Sequence, residues 1–328
     1  MTDPIRIGIV GYGNLGRGVE GALSQNADMQ LVGIFSRRPA AQVQPLSPTT
    51  AVHAYDDLPA WRNKVDVLIL CGGSKSDLPV QGPELAAYFN IVDSFDTHAR
   101  IPDYFARVDE QARAAERAAV IAIGWDPGLF SLNRMMSEAL LPVGQTDTFW
   151  GKGLSQGHSD AVRRVPGVQA AVQYTIPNEQ VIEQVRSGQQ LALAAHEKHR
   201  RECYVVLEPQ ADAQQVEQAI VTMPDYFADY DTTVYFVDLE TLNREHAAMP
   251  HGGFVIRSGR SSQGTNQSYE FALRLGSNPE FTSSVLVAYA RAAYRLHARG
   301  AYGAHTIFDI APALISPDSP ENLRARLL

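Results

Sequence analysis

The segment IRIGIVGYGNLG, residues 5–16, constrains this chain more than any other part of it. Ile5 to Val10 reads as a buried strand. Gly11, Gly13 and Gly16 follow at once in GxGxxG spacing, opening a helix that carries Val19 and Leu23 on one face. In that context the glycines let main-chain N–H groups and the positive end of the helix converge in front of the turn, where a pyrophosphate can be held. The alternative is a tight strand-to-helix turn that binds nothing. Placement directly after the first strand favours the nucleotide.

The rest of the first half repeats the alternation. Strand-like runs at Leu31–Phe35, Val65–Leu70, Ile91–Val92 and Ala119–Gly124 are interleaved with helical stretches at Glu84–Phe89 and Tyr104–Arg117, and a stretch with Pro39, Pro45 and Pro48 reads as a loop. This predicts an α/β fold, a Rossmann-type doubly wound parallel sheet. Past Gly128 the texture changes: a helix near Leu132–Leu141, a Gly-rich polar stretch from Trp150 to Asp160, then alternating runs at Cys203–Glu208, Thr232–Asp238 and Gly253–Ser258. These predict a second, α+β domain with a mixed or antiparallel sheet. Phe281–Arg299 has helical spacing without Gly or Pro, and is expected to pack near the first domain. At 328 residues there is room for two domains, expected at 1–125 with a C-terminal return over about 295–328, and at 126–294. PDYF occurs at Pro102 and Pro224 in unrelated surroundings, so no repeat is read.

Composition narrows the functional classes. A hydrophobic share of 45% with 20% charged residues is that of a folded chain, and a formal charge of −8 argues against a general nucleic-acid or anionic-membrane binder. Cys71 and Cys203 stand far apart, which excludes a disulfide framework and a CxxC metal site and fits a reducing compartment. Without a basic leader, a signal-length apolar stretch or a membrane-length run, the expected location is the cytoplasm. His158, His196, Glu197 and His199 form no further ligand pattern, and no metal is expected.

The end of the second strand discriminates between cofactors. An NAD site offers Asp or Glu to the ribose there; here stand Ser36, Arg37 and Arg38. Two guanidinium groups and a hydroxyl suit a 2′-phosphate, which favours NADP over NAD; otherwise the pair is a solvated basic turn. Later strand ends carry Cys71-Gly72-Gly73-Ser74, Asp93-Ser94-Phe95-Asp96 and Trp125-Asp126-Pro127-Gly128. Ligands of open α/β sheets lie outside strand C-termini, so these segments should flank the nicotinamide and the substrate.

These residues resemble one family closely, the NADP-dependent meso-diaminopimelate dehydrogenases. The resemblance covers nearly the whole chain and rests on VGYGNLGRGVE, GIFSRR, GWDPGLFSLNR, FWGKGLSQGHSDAVRRVPGVQAAVQYT, TMPDYF, MPHGG and SNPEFT. It implies reversible oxidative deamination at the D-centre of meso-diaminopimelate by a homodimer whose second half forms the subunit contact. On matching positions it implies NADP contacts at Tyr12, Gly13, Asn14 and Leu15, at Ser36–Arg38 and at Cys71–Ser74. Asp96, Trp125 and Asp126 match positions around the reacting centre. Trp150, Gln156, Gly157, Asp160, Thr175, Arg201, His251 and Asn278 match the substrate shell, the distal L-centre falling to Thr175, Arg201, His251 and Asn278. Lys152 departs from the family's pattern, which bears on loop geometry.

The chemistry accords with that inventory. A substrate zwitterionic at both ends needs acidic and cationic groups at separated points, which Asp96 and Asp126, with Arg201 and His251, supply. The reacting amine must lose a proton, to Asp126 or Asp96 or to water beside them, and neither carboxylate is singled out as the sole base. Taken singly, each of these residues reads more simply as a turn, cap, core aromatic or solvated charge. Two rivals follow: a dehydrogenase of another D-amino acid, and an NADPH-binding regulator without turnover.

Overall fold

In the computed structural model, which describes residues 3–328 apart from the side chain of Gln156, the chain forms two units, one running to Leu132 and resuming over Pro279–Leu328, the other Asn133–Asn278. The first unit is built on a parallel sheet of β1 (Ile5–Val10), β2 (Met29–Ser36), β3 (Val52–Ala54), β4 (Val67–Leu70), β5 (Asn90–Asp93), β6 (Ala118–Val120) and β14 (Gly303–His305). The strand order is β14-β6-β5-β4-β1-β2-β3, so the winding reverses at β1, whose end faces the crevice where such sheets bind ligands.

Strand alternation makes the two faces. Ile7, Ile9, Ile69, Val92 and Val120 turn to one side, beneath α1 (Asn14–Leu23) and α10 (Asn278–Ala298); Val10, Leu68, Leu70, Ile91 and Ala119 turn to the other, beneath α2 (Leu78–Ala86) and α3 (Ile101–Ala114). Arg291 of α10 is 1% exposed and holds Asp28 with Nε at 2.6 Å and Nη2 at 2.7 Å, which ties the returning chain to the start of β2.

The unit boundaries fall later than 125 and earlier than 295. Leu129 and Leu132, in the first turns of α4 (Leu129–Leu140), pack on the first core, and α10 contributes Val285, Leu286, Tyr289 and Ala293 to it. α2 also begins earlier than the expected Glu84. Pro79 occupies its first turn, where no N–H is needed, and Gly82 is small because an added Cβ would stand 2.0 Å from the Tyr104 hydroxyl of α3. The edge strands β3 and β14, three residues each, are too short to show a period.

The second unit contains two sheets. One has the order β11-β10-β9-β8 from β8 (Gly153–Leu154), β9 (Val168–Pro177), β10 (His199–Leu207) and β11 (Thr232–Phe236). Val162 of α5 (Gln156–Arg163) and Val216 and Ile220 of α8 (Ala213–Val221) close a core over Ala171, Cys203 and Val205. The other sheet, β13-β12-β7, is antiparallel and joins β7 (Val143–Trp150), β12 (His251–Ser262) and β13 (Thr265–Leu275). Val181, Ile182 and Val185 of α6 (Glu179–Arg186) cover Phe149 and Ile256 in it. Short helices α7 (Ala195–Lys198), α9 (Leu239–Glu245) and, in the first unit, α11 (Pro320–Leu327) complete the chain.

Candidate active site

The glycine turn has the shape its spacing requires. Gly11 has φ +86°, and its N–H donates to Phe35 O at 2.9 Å. A Cβ on Gly16 would lie 2.3 Å from Gly11 O, so only glycine lets the helix start this close to the strand. At Gly13, which caps α1 without a side chain, an added Cβ would meet nothing within 4 Å. The turn therefore presents bare backbone and a helix N-terminus to open space, beside Asn14 and Leu15.

Buried hydrogen bonds fix the turn. Glu20, 6% exposed, accepts from the Tyr12 hydroxyl, from Leu46 N–H at 2.9 Å, Ser47 N–H at 3.1 Å and Thr50 Oγ1 at 2.8 Å, pinning the Pro-rich loop onto α1. Burial raises the Glu20 carboxyl, but these donors outweigh it and leave the group below its ordinary value; burial beside that carboxylate pushes Tyr12 up to about 12.

At the end of β2, Ser36 is buried and its Oγ accepts Arg38 N–H at 3.0 Å. The Arg38 guanidinium donates to Tyr12 O, whereas Arg37 reaches outward to Asp77 at 2.9 Å. The β4 loop lies alongside: Cys71 N–H donates to Val10 O at 2.8 Å, and Gly73 N–H to Asp77 Oδ2 at 2.9 Å.

The β5 and β6 ends are joined through Asp93, fully buried, which accepts from Tyr104 Oη at 2.6 Å, Phe95 N–H at 2.9 Å and Ala122 N–H at 3.1 Å. Phe95 is stacked on Tyr104 in the core, so it offers a ligand main chain only; Ser94 precedes it half-buried. Asp96 follows, its N–H donating to Ser74 Oγ at 2.7 Å, which brings the Cys71–Ser74 and Asp93–Asp96 segments together. Trp125 packs edge-on against Phe130 with centroids 5.2 Å apart. It bridges to Gly128, where a Cβ would stand 1.9 Å from Gly124 O; Asp126 sits in this turn.

In the second unit the register does the assembling. Gly153, Thr175 and Arg201 are successive cross-strand partners on β8, β9 and β10. Arg201 is 7% exposed; its Nη1 donates to Thr175 Oγ1, its Cζ lies 4.0 Å from the Tyr230 ring centroid, and among the described residues its Nε has no partner. Among the described residues no carboxylate comes within 4.0 Å of this guanidinium. Burial lowers its pKa, and Tyr230 offsets part of that.

His251 sits against Gly153, where a Cβ would come within 2.4 Å of the ring, and Gly151 passes so close to Thr175 that a Cβ would stand 2.1 Å from its carbonyl oxygen. Trp150 N–H donates to His199 Nε2 at 2.9 Å, which requires a neutral imidazole; burial, with Arg201 and Lys198 adding, holds His199 down to about 4. His158, whose Nδ1 is 2.8 Å from Ser155 Oγ, is held near the same value by burial and Arg201.

Trp150, Thr175, Arg201 and His251 thus converge. Gly157 lies on α5 with open space at its Cα, and Asp160 pairs with Arg163 on the surface of that helix. Asn278 opens α10, its N–H donating to Met249 O at 2.9 Å. The side chain of Gln156 falls outside the described residues. Sequence reasoning missed Tyr230, Gly153 and Asp77, and weighed His199 only as a metal ligand. Only the GKG spacing at Gly151–Gly153 carried a local hint of close packing. Among the described residues no three His, Cys, Asp or Glu side chains gather as metal ligands would.

The empty space before Gly13 and the helix end behind it fit a dinucleotide phosphate, and the first sheet has its switch point there. A parallel sheet whose glycine turn opens at the switch point defines the dinucleotide-binding class of α/β proteins. Residues 124–277 match the diaminopimelic acid dehydrogenase C-terminal domain. The meso-diaminopimelate D-dehydrogenase of Ureibacillus thermosphaericus is 60% identical over 99% of both chains. Among solved structures, the C. glutamicum DAP dehydrogenase in complex with DAP is 46% identical over all of both chains with a TM-score of 0.93. An engineered D-amino acid dehydrogenase bound to NADP+ is 45% identical over 99% of this chain and 100% of its own, with a TM-score of 0.87. The chain belongs to the meso-diaminopimelate D-dehydrogenase family.

Proposed function

We propose that this protein catalyses the NADP-dependent, reversible oxidative deamination of the D-centre of meso-2,6-diaminopimelate, giving L-2-amino-6-oxopimelate and ammonia, a reaction of lysine and cell-wall precursor synthesis. Family membership supports the reaction, and the observation that carries the substrate reading is Arg201, a nearly buried cation whose charge no side-chain carboxylate among the described residues answers. A buried charge is costly unless paired, and a substrate carboxylate supplies the pair. Thr175 and Tyr230 fix the guanidinium plane, leaving Nε for that carboxylate, while His251 and Asn278 complete the grip on the distal L-end.

NADP, when bound, supplies the acceptor for the hydride released from the D-carbon. The turn at Gly11–Gly16 would hold its pyrophosphate, Ser36, Arg37 and Arg38 its 2′-phosphate, and Cys71–Ser74 with Ser94 and Phe95 its remaining length. Asp96 and Asp126 accept hydrogen bonds from the D-ammonium and take its proton, freeing the lone pair that forms the C=N bond as the C–H bond breaks. Water then adds to that carbon, and the same pair of carboxylates returns a proton to the departing ammonia. Trp125, Trp150, Gln156, Gly157 and Asp160 shape the substrate shell. Anchoring the L-end decides which carbon reacts.

The protein acts in this reading as a cytoplasmic homodimer. Support comes from Met135, Met136, Leu140 and Val143, a set of exposed apolar side chains on α4 and β7, and no described helix is long and apolar enough to cross a membrane.

Reduced-nicotinamide absorbance with NADP+ and the separated meso, LL and DD isomers, with D-alanine and D-lysine as controls, tests the reaction. Turnover of meso far above LL and the simple D-amino acids is expected. Equal turnover of D-alanine would point to a broader D-amino-acid dehydrogenase, and tight NADPH binding without turnover to a regulator. Light scattering tests the dimer.

A further inference from the structure

We propose that Asp77, at the N-terminus of α2, sets how strongly this protein prefers a 2′-phosphorylated cofactor, by competing with that phosphate for Arg37. The inference rests on the NADP reading above. Of the two arginines after β2, Arg38 is committed to Tyr12 O, so Arg37 is the more available guanidinium. It is 64% exposed, yet its Nη2 lies 2.9 Å from Asp77 Oδ1. The carboxylate, by contrast, is fixed: Asp77 Oδ2 accepts Gly73 N–H at 2.9 Å, its own N–H donates to Gly73 O at 2.8 Å, and its side chain is 18% exposed.

The packing leaves it no retreat. An added Cβ on Gly72 would stand 2.7 Å from Asp77 Cβ, so the glycine loop and the carboxylate are fitted to one another. A rigid anion and a long, exposed cation form a pair in which only the cation can turn to a new partner. A 2′-phosphate must draw Arg37 away from Asp77 or share it, and in either case stands near a fixed negative charge. NAD, lacking that phosphate, meets no such competition.

The test is calorimetric titration of the full chain with NADP+ and with NAD+, for the natural protein, Asp77→Asn, Arg37→Ala and the double variant. Asparagine keeps an acceptor for Gly73 N–H and removes the charge. We expect Asp77→Asn to tighten NADP+ roughly threefold to tenfold, the range of a weakly screened exposed ion pair plus a removed like charge. NAD+ affinity should stay within about twofold, and the gain should shrink in the Arg37→Ala background, where only through-space repulsion is left to relieve. Asp77→Ser, with an acceptor of shorter reach, should move in the same direction, and thermal melts check that both variants fold. Unchanged or weaker NADP+ binding in a folded Asp77→Asn protein overturns the proposal, since Asp77 would then be neutral or an orienting partner of Arg37. If Arg37→Ala itself weakened NADP+ and NAD+ alike, the placement of the 2′-phosphate would fail, and the competition with it.

Discussion

Replacing Arg201 with Met should move stability and substrate affinity in opposite directions, which separates a ligand-binding role from a structural one. In the free protein the guanidinium is 7% exposed, donates to Thr175 and, among the described residues, leaves Nε without a partner. Exchanging a buried charge that only Thr175 and the Tyr230 ring partly compensate for an apolar side chain of similar volume stabilises by about 1–3 kcal/mol, so the melting temperature of the free variant should rise by roughly 2–10 °C. The substrate loses its anchor. Two charge-assisted hydrogen bonds to a carboxylate are worth roughly 1.5–3 kcal/mol each, and methionine recovers part of this because no charge has to be buried. A net loss of about 2–4 kcal/mol corresponds to a KM for meso-diaminopimelate raised roughly 30- to 1000-fold. kcat should fall much less, since Arg201 is assigned to the end of the substrate that does not react. Initial rates across substrate concentration, with calorimetric melts of the free variant, give both numbers. A lowered melting temperature with unchanged KM would refute the reasoning, because Arg201 would then be holding Thr175 and Tyr230 in place rather than waiting for an anion.

Three further outcomes are expected. Gly13→Ala should fold with a normal melting temperature, because its Cβ meets nothing within 4 Å, yet lose NADP+ and NAD+ affinity at least tenfold in titration; Gly16→Ala, whose Cβ would meet Gly11 O at 2.3 Å, should lose both stability and cofactor binding. Arg37→Ala should weaken NADP+ by roughly 1.5–3 kcal/mol and spare NAD+, whereas Arg38→Ala should also weaken NAD+, because that side chain braces the Tyr12 carbonyl; fluorescence titration with both cofactors separates them. His199 and His158 are held to about 4 from an ordinary 6.5, so their contribution to stability is full above about pH 6.5 and is lost as pH falls towards 4, the unfolded chain taking up protons first. Urea unfolding between pH 7.5 and 5 should show this loss, and His199→Gln should make the slope shallower.

The parts of this molecule that could be read in advance are those whose cause is local. A GxGxxG turn announces itself because Gly11, Gly13 and Gly16 answer to constraints within a few residues, and the first sheet follows from strands and helices taking turns. Arg201 is the opposite case. In HRREC it looks like one of a solvated charge run, and only the pairing of β10 with β9 makes it the neighbour of Thr175. Tyr230 enters from a loop before β11, and Gly153 matters only because a histidine from β12 rests on it. The resemblance to a family named Thr175, Arg201 and His251 without saying why they should be together; the sheet register supplies the reason. It also leaves a mark that no local pattern carries. A folded chain satisfies most of its buried polar groups, so a donor left over beside Thr175 and His251, where the family places its substrate, points outward to a partner the chain does not contain. Arg201 Nε is such a donor on a charged group. Asp77 marks the complementary case, a carboxylate that occupies Arg37 where a phosphate is expected. In both units, then, charge left unanswered or answered in advance says more about the ligand than the identity of any one residue.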